Sequence, residues 1–172
     1  FFETPKLALV RKRLDELGAE ITKGLEHGTE NLVVVCVLKG AIVFMADLIR
    51  QLPLDLTTGF IWLSSYGTGT SSSGSVRVVT DENVVVEGRD VLIVEDIVDS
   101  GRTLAFLRSH FCSRGAGSVR TCALLDKPGG REVPVEVEYV GFTIDNVYVV
   151  GYGLDYAGTY RNLPYIAELE GE

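Results

Sequence analysis

The chain is poor in the residue types that most often build nucleophile and metal sites, with three cysteines and two histidines in 172 residues. Cys36, Cys112 and Cys122 are odd in number and show no C-x-x-C spacing, which argues against a disulfide framework and against a zinc site. All three are read as reduced structural thiols. His27 and His110 lie far apart with no partner pattern, so a histidine-based nucleophilic site has nothing to rest on. Basic charge is also scarce: 16 Lys and Arg against 24 Asp and Glu leave a net charge of −8. A nucleic-acid or membrane-surface protein would normally show a basic face, and neither partner is expected. The longest apolar runs are strand length, far short of the ~20 residues of a spanning helix. No charged, apolar and small-residue leader pattern opens the sequence, and a soluble cytoplasmic protein is the expectation.

What is present is enough for one core, since a chain near this length buries roughly 70% of its unfolded surface. Thr4 and Pro5 suit an N-cap and first helical position, and Leu7, Val10, Leu14, Leu17, Ile21 and Leu25 recur at helical spacing. Residues 32–38 read as a β-branched strand, 41–51 as a helix stopped by Pro53, and 54–63 as a second strand. Strand and helix alternate again through 91–94, 103–114 and 119–125, the pattern of parallel crossovers. Strands at 139–142 and 147–150 follow without long helices. No repeat or domain linker interrupts the chain.

Two glycine-containing stretches resemble nucleotide motifs without matching them. Residues 64–75 carry Gly67, Gly69 and Gly74 among serines and threonines, but no Gly-Lys-[Ser/Thr] follows and the next residues read as a strand. With no apolar anchor after Tyr66, this stretch is expected to be a mobile lid. Gly151-Tyr152-Gly153 is no dinucleotide fingerprint, because Tyr156 stands where a third glycine belongs.

The most informative run is 91–104, VLIVEDIVDSGRTL. Its apolar beginning suits a central parallel strand, and ligands of open α/β sheets gather beyond the carboxyl ends of such strands. Glu95 and Asp96 then fall at the site edge. Ser100, Gly101 and Thr103 are small enough for backbone N–H groups to close on a phosphate, at the positive end of the helix that starts near Thr103. The two hydroxyls and Arg102 add donors.

This run is similar to the phosphoribosyl-pyrophosphate motif of the type I phosphoribosyltransferases: an apolar strand, Glu/Asp-Asp, two apolar residues, then Asp-[Ser/Thr]-Gly-x-Thr. The resemblance extends through Leu38-Lys39-Gly40, Ser65-Tyr66, Leu125-Asp126-Lys127-Pro128 and the run from Val147 to Tyr156 continuing to Tyr160-Arg161-Asn162. In order and approximate spacing it narrows to the hypoxanthine-guanine phosphoribosyltransferases of the short bacterial type. That family implies an α/β fold with a mostly parallel twisted sheet flanked by helices, in one domain spanning 1–172 with a small hood formed mainly by the C-terminal part.

The resemblance also assigns roles. Glu95 and Asp96 would address the ribose hydroxyls directly and through Mg²⁺, and the loop from Asp99 through Ser100, Gly101, Arg102 and Thr103 would wrap the 5′-phosphate. Asp99 would be the general base. Lys39 and Gly40, often preceded by a cis non-proline peptide, would bind pyrophosphate together with Arg161, while Asp155 would take a second Mg²⁺. Ile97, Lys127, Tyr148 and Val149 would hold the purine, Lys127 donating to its 6-oxo group, and Ser65 and Tyr66 belong to the lid. Two departures stand out: Ala41 replaces a frequent second glycine, and Thr143-Ile144-Asp145 stands where Glu-Ile-Pro is common.

The implied reaction transfers 5-phosphoribosyl from phosphoribosyl pyrophosphate to N9 of hypoxanthine or guanine, in a homodimer or homotetramer. Two alternatives stay open: transfer to xanthine or another base, and a non-catalytic phosphoribosyl-pyrophosphate sensor. Against the sensor, no DNA-binding helix pair or basic tail accompanies the motif, and Asp99, Lys127 and Arg161 are all present.

Overall fold

In the computed structural model, residues 7–25, 31–66, 75–81 and 84–169 are described. Helix α1 (Leu7–Leu25) leads to strand β1 (Leu32–Leu38), helix α2 (Ile42–Leu48) with a 3₁₀ turn over Ile49–Gln51, and strands β2 (Leu56–Tyr66) and β3 (Ser75–Thr80). Strand β4 (Asp90–Val98), helix α3 (Arg102–Ser113), β5 (Ser118–Asp126) and β6 (Tyr139–Thr143) follow. The short strands β7 (Val149–Val150) and β8 (Ala167–Glu168) close the chain.

Six strands form one sheet in the order β3-β2-β1-β4-β5-β6, parallel throughout except for the antiparallel β2–β3 edge. Alternation sends successive side chains of the central strands into two different apolar layers. Val34, Cys36, Leu92, Val94, Cys122 and Leu124 pack with α1 and α2, whereas Val33, Val35, Val91, Ile93 and Ala123 pack with α3. Helix α1 buries Val10, Leu14, Leu17, Ile21 and Leu25, the stripe that its spacing predicts. Its polar side is tied down by Arg13, which donates to the Val140 and Gly141 carbonyls of β6 and pairs with Glu16 and Glu20. Among the described residues no helix is long and apolar enough to cross a membrane.

Three sequence-based boundaries change. The strand expected at 91–94 runs on to Val98, because Ile97 and Val98 continue the ladder opposite Leu125 and Asp126; Glu95 and Asp96 are strand residues and not loop residues. The segment 147–150 is reduced to the two residues of β7, which pair with β8 in a separate sheet. At both ends of the expected lid, Ser64, Ser65, Tyr66 and Ser75 belong to the β2–β3 ladder; residues 67–74 lie outside the described residues, as do Thr4, Pro5 and His27. Of the cysteines, Cys36 and Cys122 are buried as structural thiols, but Cys112 is exposed on α3. Burial, with Glu95 and Asp96 nearby, pushes the Cys36 thiol up to about 12, which keeps it protonated and inert.

Leu107 is fully buried in the α3 layer whereas Leu9 on α1 is 47% exposed. Leu107→Ala is therefore expected to cost ~2–5 kcal/mol of unfolding free energy, and Leu9→Ala ~0.5 kcal/mol or less, as read from urea denaturation midpoints.

Candidate active site

β1 and β4 lie side by side at the sheet centre, with the chain leaving β1 toward β2 on one side and β4 toward β5 on the other. A crevice outside the carboxyl ends of two such strands is where open α/β sheets take ligands. Their ends here are Leu38-Lys39-Gly40 and Glu95-Asp96-Ile97. The Leu38–Lys39 peptide bond is cis. Gly40 is buried directly against Asp96: a Cβ at residue 40 would overlap the Asp96 Oδ2 and Cγ atoms, so this carboxylate leaves room only for glycine.

Glu95 is 7% exposed, and its Oε2 is buried without a hydrogen-bond partner. Burial raises the pKa of Glu95 well above the usual carboxylate range, with the adjacent Asp96 carboxyl raising it further. Burial also raises Asp96, against the lowering effects of its hydrogen bonds with Glu95 and the Ile97 amide and of the Arg161 charge. Both carboxyls are thus shifted toward their protonated forms when no cation is bound.

After Val98 the chain turns at Asp99-Ser100-Gly101 into α3. Gly101 is the N-cap residue in the left-handed region (φ 81°), and its carbonyl accepts from Ala105 N at 2.9 Å. Any side chain there would strike the Val133 carbonyl. The turn is held from outside by the amides of Glu132 and Val133, both 3.0 Å from the Ser100 carbonyl. Glu95, Ile97, Val98, Asp99, Ser100, Gly101, Thr103 and Leu104 line a cavity of about 90 Å³ at this turn. The Arg102 guanidinium does not add to it: Nε and Nη2 both donate to Glu132 Oε2, at 2.8 and 2.6 Å. What residue 102 offers the turn is its backbone N–H, 3.4 Å from Ser100 Oγ.

Lys127 follows β5, and its amide donates to the Val98 carbonyl at 2.9 Å. Its side chain is 8% exposed, with Nζ 3.8 Å from Asp99 Oδ2. A buried ammonium and a half-exposed carboxylate thus face one another where β4 meets α3. Arg161 reaches the site from the C-terminal part, donating to the Gly153 carbonyl at 2.7 Å and pairing with Asp155 Oδ1 at 2.6 Å. Asp155 Oδ2 accepts from Gly158 N at 2.7 Å. Gly153 in turn sits so close to Gly40 that a Cβ would overlap its carbonyl, which joins this segment to the β1 loop. Tyr148 is exposed, edge-on to Tyr156 with ring centroids 5.6 Å apart. Val149 is buried in the same apolar cluster that Ile97 packs against.

Residues 8–157 match the family described as the phosphoribosyl transferase domain. The chain belongs to the phosphoribosyltransferase family. It is 53% identical over 163 residues to a Listeria innocua protein named Bifunctional protein TilS/HprT, covering 95% of this chain and 25% of that protein. The chain thus spans about a quarter of the length of such relatives. It is 48% identical over 161 residues to the hypoxanthine-guanine phosphoribosyltransferase of Bacillus subtilis, covering 94% of this chain and 88% of that one. The crystal structure of a hypoxanthine-guanine phosphoribosyltransferase from Bacillus anthracis superposes with a TM-score of 0.91 at 43% identity, covering 98% of each chain. Six strands flanked by helices are the type I phosphoribosyltransferase fold.

In this chain Lys39, Gly40, Glu95, Asp96, Asp99 and Lys127 lie at the ends of β1, β4 and β5, and Arg161 and Asp155 join them through Gly153. The side chains of Ser65 and Tyr66 lie outside the described ones. Two participants escaped the sequence reading. Trp62 lies beneath Lys39, whose Nζ is 5.4 Å from the ring centroid. Arg131 pairs with Asp126, and its side chain lies close to Gly101. Trp62 is the one tryptophan of the chain.

Gly40→Ala is expected to cost ~1–3 kcal/mol through overpacking, and most of that loss to disappear in Gly40→Ala/Asp96→Ala, as read by denaturation of the four variants. The raised Glu95 and Asp96 carboxyls bind protons more readily folded than unfolded, which favours folding at low pH; this contribution is lost as pH rises from the ordinary carboxylate range toward the folded-state values. In cation-free buffer Asp96→Asn should flatten the fall in urea midpoint across that window.

Proposed function

We propose that this chain transfers 5-phosphoribosyl from phosphoribosyl pyrophosphate to N9 of hypoxanthine or guanine, giving IMP or GMP and pyrophosphate, a purine salvage reaction. The observation that carries the reading is the Lys127 ammonium 3.8 Å from the Asp99 carboxylate at the mouth of a phosphate-sized turn. The N7–H tautomer of a 6-oxopurine presents its oxo group beside the N–H of its five-membered ring and leaves N9 free to attack, and a fixed donor next to a fixed acceptor matches that edge. Names and folds of the relatives support the same reading.

In this reading the Asp99–Thr103 turn wraps the 5′-phosphate with backbone N–H groups and two hydroxyls, at the positive end of α3. Lys127 donates to the 6-oxo group, Tyr148 stacks on the base, and Val149 and Ile97 close its apolar sides. Lys39, the Gly40 backbone and Arg161 hold the pyrophosphate. As N9 bonds to C1′ and the C1′–O bond breaks with its electrons leaving on pyrophosphate, Asp99 accepts the ring N–H proton. The C-terminal part of the single domain forms a hood that keeps water from the activated sugar.

The residues fit a hard divalent cation. Glu95 and Asp96 offer adjacent carboxylates, one oxygen of which lacks any protein partner. Mg²⁺ takes one or two carboxylates and fills its shell with water and phosphate oxygens. Glu95 and Asp96 would hold one ion and Asp155 a second carried by pyrophosphate. Bound Mg²⁺ supplies neutralisation of the leaving group's charge.

Product formation from phosphoribosyl pyrophosphate with hypoxanthine, guanine, xanthine and adenine tests the proposal. Hypoxanthine or guanine should react, adenine should not, and chelator should abolish turnover until Mg²⁺ is restored. Asp99→Asn should slow single-turnover formation of IMP by ~10²–10⁴-fold. Lys127→Ala should erode a hypoxanthine-over-adenine preference that hydrogen-bonded sites can raise to ~10⁴-fold. Efficient use of adenine by the unaltered protein would sink the assignment.

A further inference from the structure

We propose that Trp62 is a positioning residue for pyrophosphate recognition: its indole face seats the Lys39 ammonium at the rim of the site, with the lysine's N–H donors left free for phosphate oxygens. The inference rests on the reading of Lys39 as a pyrophosphate ligand. Parallel pairing of β1 with β2 sets Leu38 opposite Trp62, so the residue after Leu38 leaves the sheet at the level of the indole. The β2–β3 register shifts between Trp62 and Leu63, an irregularity that bends a strand locally and re-aims the side chain beside it. The outcome is an Nζ to ring-centroid distance of 5.4 Å, within cation–π range.

Burial does not explain the tryptophan. Ile61, one residue earlier, is fully buried in the α3 layer, whereas Trp62 keeps 42% of its surface in water. A large aromatic left half in solvent at the edge of a ligand site is worth more there as a platform than as core.

The choice of seat matters because Lys39 is exposed at the end of a long, flexible stem. Among the described residues no carboxylate lies within ion-pair distance of it. A carboxylate partner would order the side chain by consuming N–H donors, and each such bond would have to break before a phosphate could bind. An aromatic face attracts the charge without accepting conventional hydrogen bonds, so the ammonium is ordered and its three donors stay available. In a chain of net charge −8, which lacks a general positive field to draw a polyanion, one pre-ordered cation at the rim has a clear use.

Calorimetric titration of the full chain with magnesium pyrophosphate, phosphoribosyl pyrophosphate and IMP tests this. Trp62→Leu should weaken the two pyrophosphate ligands ~2–5-fold, the worth of an exposed cation–π contact, and leave IMP affinity, which reports an intact fold and 5′-phosphate turn, unchanged. Trp62→Phe, which keeps an aromatic face, should recover part of the loss. In a Lys39→Ala background, Trp62→Leu should bring no further weakening. Unaltered pyrophosphate affinity in Trp62→Leu, losses that simply add to those of Lys39→Ala, or a parallel fall in IMP affinity would each overturn the seat while leaving Lys39 as a ligand. If Lys39→Ala itself binds pyrophosphate normally, the role of Lys39 fails, and the inference fails with it for that separate reason.

Discussion

The parallel pairing of β1 with β4 is the constraint on which the site depends. It sets Cys36 opposite Val94, so that β1 leaves the sheet as Leu38-Lys39-Gly40 beside the last residues of β4, Glu95-Asp96-Ile97-Val98. Because connections diverge from these neighbours toward opposite edges, no crossover covers the space beyond their ends. Gly40 then accepts the Asp96 carboxylate at a distance no other residue would allow, and Gly153 packs on the Gly40 carbonyl to bring Asp155 and Arg161 in from the C-terminal part. Loss of that one pairing would separate the proposed pyrophosphate and ribose halves of the site.

The electrostatics follow from the same packing. In a chain with eight excess negative charges, most of the acids around the candidate site are paired or buried, and selected cations and amides stay open. Glu95 is buried beside the half-buried Asp96, and both carboxyls are raised above the usual range, Asp155 is paired with Arg161 and the Gly158 amide, and Glu132 takes the Arg102 side chain. The cavity is lined by the end of β4, the Asp99-Ser100-Gly101 turn and the start of α3, with no basic side chain among its lining residues and the positive end of the α3 peptide dipoles beside it. Lys127 and Lys39 are held differently, one buried beside Asp99 and the other over an indole.

Much of this was legible in the residues. The stripe of α1, the bounds of β1, the alternation that implies a parallel sheet, and the acidic strand end followed by Ser100-Gly101 were all readable, because each is a local pattern with a fixed period or a fixed turn requirement. The motif also showed which side chains to gather. Errors fell where long-range pairing decides: β4 runs four residues past its apolar core because β5 continues beside it, and β7 is cut short because its partner is β8 and not the main sheet. Arg102, which reads as a phosphate donor in sequence, is taken by Glu132 thirty positions away.

By itself the sequence determined the family, the order of the main strands and helices, the small-residue turn at Ser100-Gly101, and the set of acids and lysines available for chemistry. These are encoded in side-chain period, backbone sterics and short spacings, which act within a few residues. Only the tertiary structure decided which of those groups meet: Lys127 with Asp99, Asp96 with Gly40, Arg161 with Asp155 beside Gly153, and Lys39 with Trp62. The reason is that strand register and loop closure join segments distant in the chain, and a single-residue change of register turns each side chain to the opposite face.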